Sequence, residues 1–325
     1  MYFTINVPMS DFGFAPGNSA PAFAHDHQYV EHVPSRNDSY HFRGELLRPV
    51  MNWLYEPFGD SALLVGPTGS GKSSLVEQLT ARLNWPCLTV SAHSRMEMPE
   101  LTGFNLPYTD PVSGDLQTRF IDGPLTKAMR NGFVFVLDEY DTLDPAVTVG
   151  LHAILEGRPL VIAENGGEVV KPHPNFRFVA CGNTAGQGDE SAQYSATMQQ
   201  NLATLDRFRV FEVSYVEEKV EVQLLLDAYP DLDVLAAKMV KIANSIRSRH
   251  LGQGASYLSV TLSTRTLLRW GRIANGYKNN GADTPVKSAL DEALLNRCDK
   301  VQRLAIEKIA ESVLGSAWSK SKQAA

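Results

Sequence analysis

Cysteine is scarce in this chain, with three in 325 residues, at Cys87, Cys181 and Cys298. They match no zinc or disulfide spacing and read as small buried hydrophobes in a reducing compartment. Long apolar runs are missing as well, which excludes a membrane-spanning helix of the usual roughly 20 residues. The opening MYFTINVPMS has no basic start and no apolar stretch. It is therefore not read as a secretory signal, and the cytoplasm is the expected location. Positive charge is in deficit: 30 Lys and Arg stand against 36 Asp and Glu, a net charge of −6. That balance argues against a broad affinity for nucleic-acid backbones, although a local basic channel can sit inside an acidic total. Metal-ligand clusters are absent too. His25 and His27 flank Asp26 without further spaced ligands, and are read as solvated.

What is present is one dominant stretch. Gly66-Pro67-Thr68-Gly69-Ser70-Gly71-Lys72-Ser73 fits Gly-x-x-x-x-Gly-Lys-Ser/Thr without a mismatch, and Ser74 follows it. Glycines let the backbone close around phosphates with successive N–H groups pointing inward. Lys72 is placed to reach the β- and γ-phosphates of ATP, and the Ser73 hydroxyl to ligate Mg²⁺. Ser61 to Val65 reads as a buried strand before the loop; Leu75, Val76, Leu79 and Leu83 mark one face of a helix starting near Lys72. Strand, loop and helix N-terminus bring the positive end of the helix to the phosphates.

Around this stretch the chain reads in order. Residues 1–41 look irregular, punctuated by proline and glycine, and are expected to form an arm packed on the core or on a neighbouring subunit. Leu46, Leu47, Val50 and Trp53 give a helical stripe; Pro86 to Val90 reads as a second strand. Phe104 to Tyr108 and Gln117 to Ile121 suggest a hairpin, either plain surface or substrate-facing. Phe133 to Leu137 is a continuous apolar run, the mark of a central parallel strand, and it delivers Asp138 and Glu139 to the sheet edge where ligands bind. There Asp138 can hold Mg²⁺ through water and Glu139 can orient the attacking water. Leu160 to Val170 is a second hairpin with Asn165-Gly166 at its turn. The strand Phe176 to Cys181 carries Asn183, either a γ-phosphate and water contact or a turn cap. Arg207 precedes an alternating strand, Val210 to Val213; a salt-bridged surface residue and an arginine finger are both open. Four helices are expected after Glu217. The third starts at the capping signal Ser263-Thr264 and places Arg265 near bound nucleotide; the last runs from Leu290 to Ile309. The tail from Ser319 to Ala325 is expected to fray.

On these residues the chain resembles an AAA+ ATPase of the MoxR type, in particular the ATPase subunits of aerobic cobaltochelatases. The resemblance spans roughly Val33 to Arg297. It is carried by ARLNWPC (Ala81 to Cys87), LDEYD (Leu137 to Asp141), PHPNFRFVACGNTAGQGD (Pro172 to Asp189), LDRF (Leu205 to Phe208) and LSTRT (Leu262 to Thr266). It implies an α/β fold: an αβα nucleotide-binding domain with a parallel sheet over 42–214, then a helical lid over 215–325. It further implies that Asn183 is the sensor-1 residue, Arg207 the arginine finger and Arg265 the sensor-2 arginine. The first hairpin becomes the helix-2 insert and the second the hairpin before sensor 1. Such proteins look like homo-hexameric rings that work with a partner carrying a von Willebrand A domain. One departure is that cobaltochelatase subunits carry Tyr-His after the first loop glycine, where Pro67-Thr68 stands.

The expected function is an ATP-hydrolysing remodelling motor. A nucleic-acid motor is the main rival, disfavoured by the acidic balance and by the lack of aromatic–basic interleaving. A nucleotide-gated scaffold has no use for Glu139, and a small-molecule kinase does not require Asp138-Glu139, Asn183 and a lid in this order.

Overall fold

The structure, a computed structural model, describes residues 2–186, 188, 197–252, 257–281, 284–315 and 318. Gln187 and Asp189 of the long matching run, and the tail from Ser319, lie outside the described residues. In chain order the strands are β1 (Ile5–Pro8), β2 (Ser19–Ala22), β3 (Ser61–Val65), β4 (Cys87–Ser91), β5 (Gly103–Thr109), β6 (Leu116–Asp122), β7 (Val134–Asp138), β8 (Leu160–Ile162), β9 (Glu168–Val170), β10 (Arg177–Gly182) and β11 (Phe208–Glu212). The helices are α1 (Gly44–Tyr55), α2 (Lys72–Arg82), α3 (Met98–Thr102), α4 (Pro124–Asn131), α5 (Pro145–Gly150), α6 (His152–Leu155), α7 (Leu202–Leu205), α8 (Glu218–Ala228), α9 (Asp233–His250), α10 (Thr264–Asn279), α11 (Pro285–Ala293) and α12 (Lys300–Leu314). They group into two compact units, residues 1–67 with 72–213, and residues 68–71 with 214–325.

In the first unit five strands form one parallel sheet in the order β11-β3-β10-β7-β4. The burial of each strand follows from its place. The three inner strands are buried almost throughout, whereas the edge strands β4 and β11 each bury only their first residue and then alternate half-buried and exposed ones. Continuous apolar runs such as Val134 to Leu137 can be satisfied only where helices cover both faces. Period-2 alternation divides the same strands between two cores. Ala62, Leu64, Val134, Val136, Val179 and Cys181 face one core with Leu47, Trp53, Leu75 and Leu79. Leu63, Phe135, Leu137, Phe178 and Ala180 face the other with Leu125, Met129, Leu151 and Ile154. β5 and β6 pair as one hairpin and β8 and β9 as another, matching the two expected from sequence.

The N-terminal segment departs from the irregular arm expected. β1 and β2 pair antiparallel, Ile5 opposite Ala22 and Pro8 opposite Ser19. In a two-stranded ribbon every strand is an edge, so Pro8 and Pro21 cost no shared ladder bond. The arm does pack on the core: Phe12 and Phe23 are buried in the cluster that holds α1 and α2. Several of its polar ties end on α2 and the residues just after it, and others reach Asn131 of α4 and Tyr55 of α1. Asn37 N donates to Gln78 Oε1 at 2.7 Å, Arg82 Nε to Asp11 O at 2.8 Å and Arg82 Nη2 to Asn37 O at 2.9 Å. His27 is not solvated as expected. Its Nε2 lies 2.8 Å from Asn84 O, and its Nδ1 accepts from Tyr29 N.

The second unit is a helical bundle whose core holds Met239, Ile242, Ile246, Trp270 and Leu290. Arg247 and Glu221 form an ion pair inside it at 2.7 Å, with only 5% and 0% of their side chains exposed. Arg247 Nε also donates to Leu262 O at 2.8 Å. The single last helix expected from Leu290 to Ile309 is in fact two. α11 ends at Ala293, a short turn covers Leu295–Arg297, and Asp299 caps α12 by accepting from Gln302 N at 2.9 Å. The N-cap outweighs a stripe that was never continuous, since Val301 and Leu304 are exposed. Cys87 and Cys181 are buried, Cys298 half-buried, and all three are unpaired thiols.

Candidate nucleotide-binding and hydrolysis site

The glycine loop leaves β3 at Val65 and turns through Gly69 and Gly71, at φ 67° and 89°. These are left-handed values that a side chain would strain, so glycine is required twice. α2 then begins at Lys72, which sets the positive end of an 11-residue helix at the loop. Lys72 is buried. Its Nζ donates to Gly66 O at 2.8 Å, to Pro67 O at 3.2 Å and to Asn183 Oδ1 at 2.8 Å. Asn183 Nδ2 in turn donates to Glu139 Oε2 at 3.1 Å. β10 lies between β3 and β7, so a residue just after β10 is the natural bridge between Lys72 and Glu139. Three groups separated widely in sequence thus form one polar chain along the C-terminal edge of the sheet.

Burial pulls the Lys72 ammonium below its usual range, opposed by the carboxylates of Asp138, Glu139 and Asp141. Burial, then Asp138 and Asp141, push Glu139 above the usual carboxylate range, while Lys72 and Asn183 oppose the shift. Glu139 itself sits at φ 55°, a left-handed value unusual for a non-glycine residue and worth of order 1 kcal/mol of strain. That turn aims its side chain at Asn183 directly after Asp138 has ended the strand. Asp138 Oδ1 accepts from Glu139 N at 3.0 Å. Ser73 lies in the first turn of α2 and, like Asp138, is half-buried. One hydroxyl and one carboxylate are hard oxygen donors of the kind Mg²⁺ uses when it keeps several waters, so the residues present fit that ion.

Arg207 and Arg209 stand elsewhere, whereas Arg265 lies beside the glycine loop: a Cβ on Gly69, which groups with Arg265 in the second unit, would come 3.8 Å from the Arg265 Cβ. Arg207 follows α7 and precedes β11, whose first residue Phe208 lies opposite Ser61. It is therefore at the N-terminal edge of the sheet. The five residues of β3 put that edge roughly 15 Å from the glycine loop. Arg207 Nε lies 2.7 Å from Glu156 Oε1. Arg209 lies at the same edge, its Nη1 donating to Glu56 O at 3.4 Å. Arg265 is exposed on the first turn of α10, in the second unit, where the Ser263 side chain caps the helix by accepting from Thr266 N at 3.2 Å.

Comparison with known proteins shows the family. The AAA domain family, dynein-related subfamily, matches residues 61–202, and the C-terminal family of CbbQ, NirQ and NorQ matches residues 231–313. The aerobic cobaltochelatase subunit CobS of a Sinorhizobium species is 28% identical over 311 residues, covering 94% of this chain and 89% of its own. Protein CbbQ of Hydrogenophilus thermoluteolus is 34% identical over 212 residues, covering 65% of this chain and 73% of its own. The chain belongs to the MoxR-type AAA+ ATPases. It is a phosphate-loop ATPase with an α/β AAA+ fold.

One residue of this AAA+ site was not assigned from sequence. Asp141 is fully buried, and its Oδ2 accepts from Asn183 N at 2.7 Å, Thr184 N at 2.9 Å and Thr184 Oγ1 at 3.2 Å. It ties the turn carrying Asn183 to the turn carrying Glu139. Gly182 makes room for this, since a Cβ there would lie 3.1 Å from Thr184 O. The only sequence signal was the third carboxylate of LDEYD, whose partners lie some forty residues on. Asp141→Ala should leave two N–H donors unsatisfied and cost roughly 2–4 kcal/mol of stability. Asp141→Asn keeps an acceptor oxygen and should recover most of that. Urea unfolding of both variants decides it, and an Ala variant as stable as wild type removes the pinning role.

Proposed function

We propose that this chain is a Mg²⁺-dependent ATPase motor that remodels a partner protein or complex as a homo-hexameric ring, each site being completed by the neighbouring subunit. The observation that carries the reading is the hydrogen-bonded chain Lys72–Asn183–Glu139 at one sheet edge with Arg207 at the other. On this reading residues 42–214 are the nucleotide-binding core, 1–41 its arm and 215–325 the lid. Gly66 to Ser74 wrap the phosphates, and Lys72 holds the β- and γ-phosphates. Ser73 and Asp138 would hold Mg²⁺, which supplies charge neutralisation on those phosphates. Glu139 accepts a proton from the attacking water while Asn183 orients it against the γ-phosphate. Arg207 stabilises the charge developing on a neighbour's nucleotide, and Arg265 contacts nucleotide as the sensor-2 arginine.

The likeness to a cobaltochelatase subunit supports a protein partner, and the family resemblance points to one with a von Willebrand A domain. No described helix is long and apolar enough to cross a membrane; the cytoplasm is the proposed location. The rival motor on nucleic acid makes the opposite prediction about stimulation. With Mg²⁺ at physiological salt, ATP hydrolysis should be unchanged by single- or double-stranded DNA or by RNA, since the net charge is −6. Strong stimulation that falls steeply with added salt would instead mark phosphate contacts and sink the protein-remodelling reading.

A further inference from the structure

Arg207 does not wave freely at the sheet edge. One of its terminal nitrogens donates to Ala203 O, its Nε lies 2.7 Å from Glu156 Oε1, and its side chain is only 23% exposed. At that distance Nε still completes no hydrogen bond, so Glu156 holds the guanidinium by charge and proximity and not by a directed bond. The other oxygen of Glu156 pairs with Nη2 of Arg158. One carboxylate thus lies between two guanidiniums. Its own position is fixed. Glu156 ends α6, donating its N–H to His152 O at 3.3 Å, and Gly157 follows at φ 67° with its N–H on Ile154 O. A second tie joins the helix that carries the carboxylate to the helix before Arg207: His152 Nε2 lies 2.7 Å from Thr204 Oγ1. Burial and then the Arg207 charge hold His152 below the usual histidine range, so near neutral pH it adds no third cation here.

We propose that Glu156 is the positioning residue for Arg207, holding its guanidinium in advance so that it is presented to a neighbouring subunit's nucleotide. The inference rests on the trans role proposed above for Arg207. A carboxylate that sequestered the arginine would take its fork with two parallel bonds. Here no fork is formed: the approach of Glu156 is at Nε, which completes no hydrogen bond, and a carbonyl holds one terminal nitrogen, so the guanidinium is steadied without being tied up by the carboxylate. A flexible arginine loses side-chain freedom when it engages a transition state; one already held by Glu156 has lost it on folding. Glu156 also screens Arg207 from Arg158, whose charge would otherwise repel it.

The test is a double-mutant cycle on the assembled protein, with kcat and KM for Mg-ATP measured for Glu156→Ala, Arg207→Ala and the pair. Glu156→Ala should lower kcat about tenfold with KM near the wild-type value, as for a lost preorganisation of one charged group. In the Arg207→Ala background it should change nothing further, because there is no longer an arginine to hold. Glu156→Gln, which keeps the acceptor oxygen and drops the charge, should fall between. If Glu156→Ala fails to fold, the same cycle runs with Glu156→Gln and the same non-additivity is expected. A wild-type kcat for the folded Glu156 variants beside a slow Arg207→Ala overturns the proposal, and so does an undiminished Glu156 effect in the Arg207→Ala background. A wild-type rate for Arg207→Ala itself overturns the finger reading instead.

Discussion

Mixing Lys72→Ala subunits with Arg207→Ala subunits should restore ATP hydrolysis that neither variant has alone. Lys72 is the side-chain cation of the glycine loop, and its Nζ already gathers the Gly66, Pro67 and Asn183 oxygens at one point. Its removal should abolish tight ATP binding in a titration, and unchanged affinity would refute the site. Arg207 sits at the opposite edge of the sheet, so Arg207→Ala should bind ATP normally and hydrolyse it slowly. Arginine fingers in phosphate-loop enzymes are worth roughly 10³–10⁵ in rate, so the loss should be obvious. In the mixture some interfaces pair an intact loop on one side with an intact arginine on the other. If mixed rings demonstrably form and stay inactive, Arg207 does not act in trans, and Arg209 at the same edge becomes the next candidate.

Glu139→Gln should separate binding from chemistry. The amide keeps the size and an acceptor oxygen for Asn183 Nδ2, so ATP should bind with near wild-type affinity. Turnover should fall by about 100-fold or more, the usual loss of a proton-accepting group. The pH profile adds a second check. Burial and the neighbouring acids raise the Glu139 pKa. The group accepts a proton only when ionised, so wild-type kcat should fall with decreasing pH along a limb lying above the ordinary carboxylate range. That limb should disappear in the glutamine variant. A variant that hydrolyses at the wild-type rate would remove Glu139 from the mechanism.

The glycine loop and the strand after it were legible because each is a local pattern: a spaced set of glycines, and an apolar run ended by two acids. The inner position of β7 followed from the same run, since only a strand covered on both faces can be apolar at every residue. What escaped was long-range or very short. Asp141 and Glu156 look like surface acids in the sequence, and only the fold brings Asn183 to one and Arg207 to the other. β1 and β2 are four residues each, with a proline in both, too little for alternation to declare itself. The break between α11 and α12 was hidden because the apolar spacing runs on across it, while one aspartate cap starts a new helix.

The distance between the two sheet edges bears on how this protein behaves when it is dilute. On the proposed reading a lone subunit is a nucleotide carrier and not an enzyme, since the guanidinium it needs belongs to its neighbour. Specific activity should then fall on dilution even while nucleotide stays bound, and turnover becomes a gauge of how many subunits have met.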